Sequence, residues 1–117
     1  MVEITKASRE FTKVETYLMT VATGITSLKD VPDGTPIDVS GTLEFNDVKD
    51  TTGEIAEIIS IITPDNKVYS SQSKTVKRSI HDIENIMDGE RFSVIKTSGM
   101  TKAGRTFINI ELDTTKL

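Results

Sequence analysis

Lys74-Thr75-Val76-Lys77-Arg78-Ser79-Ile80-His81-Asp82-Ile83-Glu84-Asn85-Ile86-Met87-Asp88 is the one stretch of this chain whose apolar residues recur at helical spacing. Val76, Ile80, Ile83 and Met87 fall on one side of a 3.6-residue period, which predicts a helix over 74–88 that lays an apolar stripe on a core. Ser73 stands where an N-cap hydroxyl accepts from the free amides of the first turn. Gly89 stands where a helix ends in a residue of positive φ.

Around this helix the apolar residues alternate with polar ones, as in half-buried strands. In 37–48, Ile37, Val39, Leu43 and Phe45 face one way and Asp38, Ser40, Thr42 and Glu44 the other. Gly41 lies on the apolar side, where a barrel strand bends or carries a bulge. Asp50-Thr51-Thr52-Gly53 turns the chain into 54–63, whose isoleucines predict burial on both faces. Pro64-Asp65-Asn66 makes another turn before a short returning strand at 67–71. Beyond the helix, 91–97 and 106–113 read as strands joined by 98–105.

Upstream, 13–22 is rich in Val, Thr, Tyr and Leu and is predicted to be the first strand. A connection at 24–36 follows, with Pro32-Asp33-Gly34 as its turn. Residues 1–10 show no period and are expected to form a flexible or edge-pairing N-terminal arm, leaving 11–117 as a single domain. Strands, then one helix, then two strands is the order of an OB-fold. The expected class is therefore mainly β: an OB-fold-like, five- to six-stranded barrel with one helix between its third and fourth strands.

At 117 residues the chain is long enough for one ordinary core. It has no cysteine, which excludes disulfides and thiolate metal sites. No apolar run approaches a membrane span, and 1–10 has no apolar core of a secretory signal, so no membrane partner is expected. The net charge of −4 is unevenly spread. Residues 1–60 carry five basic and eleven acidic side chains, whereas 61–117 carry nine and seven; overall acidity argues against a broad basic duplex-binding face but allows a groove lined by a few Lys and Arg.

Catalytic patterns fail on context. Gly99-Met100-Thr101-Lys102-Ala103-Gly104-Arg105-Thr106 approaches a phosphate-binding loop, but such a loop must open into a helix. Here Phe107, Ile108, Asn109, Ile110, Glu111 and Leu112 alternate as a strand, so the segment reads as a glycine-hinged hairpin carrying Lys102 and Arg105. The single histidine, His81, lies mid-helix and reads as a surface or packed side chain. Asp47, Asp50 and Glu54 gather at one hairpin without the spacing of a calcium loop. No enzyme, cofactor or metal site is expected.

What remains is a surface for single-stranded nucleic acid, which needs aromatic faces for bases and cations along the phosphates. Alternation places Tyr17, Tyr69 and Phe107 on polar sides or strand ends, while Phe45 and Phe92 read as core. Packing at a barrel rim is the competing reading for Tyr69 and Phe107, and burial with Met19 and Val21 for Tyr17. Lys13, Lys67, Lys74, Lys96, Lys102 and Arg105 are the candidate phosphate contacts.

Pro32-Asp33-Gly34-Thr35, then Val68-Tyr69-Ser70 with Ser73-Lys74-Thr75 opening a helix, then a Lys/Gly loop before Phe107 and Leu112, resemble one small family. It is the single-stranded DNA-binding protein of bacteriophages that replicate linear DNA by protein priming, and the resemblance runs over about 27–112. It implies an OB-like fold, location in the cytoplasm of the bacterial host, and sequence-independent coating of displaced strands, with tyrosines stacking on bases. Residue by residue it supports Tyr69, Lys74 and Lys102, and it aligns Phe107 with an aromatic of the last strand across a longer loop. The resemblance implies single-stranded DNA as the partner; replication proteins, or a second copy through the N-terminal arm, are further expected partners. Two other readings stay open: a small β-barrel that binds protein through an exposed edge or through residues 1–9, and an OB-fold for RNA or oligosaccharide.

Overall fold

A computed structural model describes residues 2–116, Lys116 by its backbone alone. Met1, at the start of the expected arm, and Leu117, at the end of the expected domain, lie outside the described residues. The strands in chain order are β1 (Val2–Ala7), β2 (Thr26–Ser27), β3 (Pro36–Val39), β4 (Gly41–Val48), β5 (Ile55–Ile62), β6 (Val68–Ser71), β7 (Phe92–Met100) and β8 (Thr106–Leu112). The α-helices are α1 (Lys13–Thr20) and α2 (Lys74–Met87).

α2 is the helix predicted from its stripe. Ser73 caps it, its hydroxyl accepting from the Val76 amide at 3.2 Å, and Asp88 and Gly89 both leave the helix with positive φ. Val76 and Ile80 are fully buried, each contributing on the order of 1.5–3 kcal/mol. β5, β6, α2, β7 and β8 follow in the expected order, whereas of the strands expected before them the first is the helix α1 and the second divides into β3 and β4.

The barrel is not closed. Among the described residues the strands form a five-stranded sheet, β1-β4-β5-β6-β2, and a three-stranded sheet, β3-β7-β8, with no ladder between them. The expected single strand over 37–48 divides at Ser40. Before it, β3 pairs with β7; after it, β4 pairs with β5, so the chain changes sheet at Ser40-Gly41. A side chain there would displace the Phe11 ring: a Cβ on Gly41 would lie 2.7 Å from both Cε1 and Cζ of Phe11.

The strand expected over 13–22 is instead helix α1. A capping box decides it: the Glu15 amide donates to Thr12 Oγ1 (3.1 Å) and the Thr12 amide donates to Glu15 Oε1 (2.9 Å). Val, Thr and Tyr have only a weak preference for strands, and two satisfied amides outweigh it. Arg9 strengthens the same corner. Its guanidinium pairs with Glu15 Oε2 at 2.9 Å, donates to the Ser40 carbonyl at 2.9 Å and lies 4.3 Å from the Phe11 ring centre. These bonds, the Arg9 contact foremost, lower the Glu15 carboxyl to a pKa of about 2.

In the segment expected as an arm, β1 pairs antiparallel with β4, with an irregularity between Ile4 and Lys6. Two cores lie on opposite faces of the five-stranded sheet. Ile59 and Ile61 join Val76, Ile80, Val94 and Ile110 beneath α2 and the smaller sheet. Ile62, Leu43, Phe45 and Val68 pack with Met19 of α1 on the other face. Burial on both faces thus holds for the second half of β5, while Ile55 is exposed. Thr42 Oγ1 donating to Glu84 (2.5 Å) and His81 Nε2 against Glu44 (2.6 Å) fasten α2 to β4, which absorbs the chain's one histidine. Among the described residues no helix is long and apolar enough to cross a membrane.

Candidate nucleic-acid interface

In β7 and β8 directly opposed residues share a face. The pairs Val94↔Leu112, Lys96↔Ile110 and Ser98↔Ile108 turn toward the core; Ile95↔Glu111, Thr97↔Asn109 and Gly99↔Phe107 take the other face, which Pro36 of β3 extends, although Asn109 is tied to α2 by accepting from the Ser79 hydroxyl at 2.6 Å. Phe107 lies on this face, 38 % exposed. Beside it Thr101 builds the hairpin tip: its amide donates to the Arg105 carbonyl (2.8 Å), and its hydroxyl accepts from the Arg105 amide (3.1 Å). Lys102 and Arg105 project from that tip, both exposed.

A second group gathers at the far edge of β3. Tyr69 pairs with Ile61, so its ring borders the core beneath α2 and is half-buried. It lines an open hollow with Pro36, Asp38, Pro64, Asp65 and Lys67. Lys67 is exposed and stands 3.9 Å from Asp65. The Thr63 hydroxyl bond is the main cause holding the Asp65 carboxyl below its ordinary range. Lys74, exposed, opens α2 just beyond β6. From Ile95, opposite Pro36, to Gly99 is four residues, about 13 Å of strand, so hollow and hairpin are separate stations along the smaller sheet.

The other candidates lie elsewhere. Lys13 and Tyr17 sit one turn apart on α1, which packs on the opposite face of the larger sheet; Tyr17 is 57 % exposed. Lys96 is only 5 % exposed. Its stem runs along the core and its Nζ meets Asp33 Oδ1 at 2.7 Å, while the Ser98 hydroxyl donates to the other oxygen. The Lys96 bond, then the Ser98 bond, holds the Asp33 carboxyl below its usual value.

Residues 3–113 match the family model described as phage single-stranded DNA-binding protein. The chain belongs to this family. It is 31 % identical over 91 residues to the single-stranded DNA-binding proteins of Bacillus phage PZA and Bacillus phage phi29, covering 74 % of this chain and 73 % of each relative. No solved structure gives a significant match. The family is one of binding proteins rather than enzymes. Among the described residues no three His, Asp or Glu side chains gather to hold a metal ion.

Sequence reasoning missed three parts of this surface. The prolines flanking Tyr69 come together only because β3 and the 64–67 turn meet across the fold. Pro32-Asp33-Gly34 has the sequence of a turn, and nothing local marks the lysine partner of Asp33 63 positions away. Gly99 beneath Phe107 becomes visible only once the hairpin register is known.

Proposed function

We propose that this chain coats single-stranded DNA, without regard to sequence, during phage DNA replication in the host cytoplasm. Membership of the phage single-stranded DNA-binding family over residues 3–113 is the observation that carries the reading. The proposed track runs from the Phe107 hairpin, on the outer side of the smaller sheet, to the Tyr69 hollow where β3 meets the 64–67 turn, in a half-open version of the OB arrangement. Phe107 stacks on one base at the hairpin, Tyr69 on another at the hollow, and Lys67, Lys74, Lys102 and Arg105 neutralise phosphates between and beside them. Lys96 is committed to Asp33 and takes no phosphate in this reading. Lys13 and Tyr17, across the molecule, are outside the track.

Titrating a labelled oligonucleotide at rising salt tests this. About four neutralised phosphates give a slope of log affinity against log salt near −3 for a single strand. Binding that ignores salt, or that favours duplex, would remove the proposal.

A second reading rests on β1, which lies at the edge of its sheet and pairs on one side only. With that edge unpaired among the described residues, the chain would bind a second copy or another protein through it. Assembly without DNA that disappears on deleting residues 1–7 would favour it.

A further inference from the structure

Glycine inside a strand weakens it, so its presence calls for a cause. Gly99 lies within β7, and unlike Gly34, Gly53, Gly89 and Gly104 it does not have a positive φ. Backbone conformation therefore does not require glycine at this position. Space does. A Cβ on residue 99 would lie 2.6 Å from Cζ, 3.0 Å from Cε1 and 3.2 Å from Cε2 of Phe107. The end of the ring occupies the volume that any side chain would fill.

The molecule contains a second pair of this kind, which differs in one respect. Phe11 sits over Gly41 in the same close way, and its ring is also covered by the Arg9 guanidinium at 4.3 Å. That ring is closed by glycine below and a flat cation above. Phe107 has the glycine, yet among the described residues no cation covers it, and 38 % of the residue stays exposed beside Lys102 and Arg105. It has the seat without the lid.

We propose that Gly99 is a positioning residue for DNA binding: it seats the Phe107 ring against the β7 backbone, so that the ring is held ready to stack on a base. The proposal rests on the reading of Phe107 as a stacking residue. A ring fixed before binding loses less conformational freedom when a base lands on it, so the seat adds affinity without touching DNA.

The test is a two-by-two set of variants, Gly99→Ala, Phe107→Ala and both, titrated with an oligothymidylate and checked by circular dichroism. Phe107→Ala is expected to weaken binding about tenfold, within the range of one stacked base. Gly99→Ala should weaken it about fivefold in the parent chain and less than about twofold when Phe107 is already alanine. If Phe107→Ala binds as the parent does, the reading of Phe107 fails, and this proposal with it. If Phe107→Ala weakens binding but Gly99→Ala does not, only the positioning role is overturned. An equal loss from Gly99→Ala in both backgrounds overturns it too. Should Gly99→Ala not fold, the parent chain decides by NMR. The Gly99 α-protons are expected upfield under the ring, both free and with the oligonucleotide bound; loss of that shift on binding means the ring leaves its seat and contradicts the proposal.

Discussion

Lys96 shows how a cation can be withdrawn from a binding surface. It lies opposite Ile110 on the core face, and its ammonium is held by the Asp33 carboxylate. Lys96→Met is therefore expected to leave the salt slope of DNA binding unchanged, whereas Lys102→Ala and Arg105→Ala should each reduce its magnitude by about 0.7. Affinity measured at three or more salt concentrations for each variant checks this, and a reduced slope for Lys96→Met would mean that its charge reaches DNA. The sequence contained part of the answer. Val94 and Lys96 are two apart in a strand and so must share a face, but an isolated charge reads naturally as exposed. Asp33, which reverses that reading, is distant in the chain.

Among the elements, α1 is where local pattern and structure part. Val14, Tyr17 and Thr20 are residues that strands favour, and the Thr12-x-x-Glu15 box that sets the helix is a four-residue signal beside them. α2 was legible because stripe, N-cap and terminal glycine agree. The α1 corner also carries a pH signature. Glu15 has its folded-state pKa lowered from 4.5 to about 2, chiefly by Arg9, so the stabilisation it gives is complete above its unfolded value and is lost as pH falls through that interval. The melting temperature of the parent chain should exceed that of Glu15→Gln at pH 7. The gap should close as pH drops from 4.5 toward 2. A gap that persists at the acid end would assign the difference to something other than the carboxylate.

For the whole molecule, the run from β5 through α2 to β8 was legible and closure was not. Alternation reports which residues face a core, but it does not say which edges meet. β3 and β4 read as one strand because the alternation runs on through Ser40, although they serve different sheets. The 24–36 connection does more than turn the chain, for it spans the two sheets: Thr26 pairs with Tyr69 at one end and Asp33 holds Lys96 toward the other, with Leu28 and Val31 buried between. In the proposed function that strap lies between the Tyr69 hollow and the Phe107 hairpin, one of which it borders and the other of which it approaches through Ser98. The most direct measurement is an amide NMR titration of the chain with a short oligothymidylate at low salt. The largest shift changes are expected at 67–70, at Lys74 and across 99–107, with α1 and β1 nearly unmoved. Changes concentrated on α1 or β1, or none at the hairpin, would contradict the proposed track.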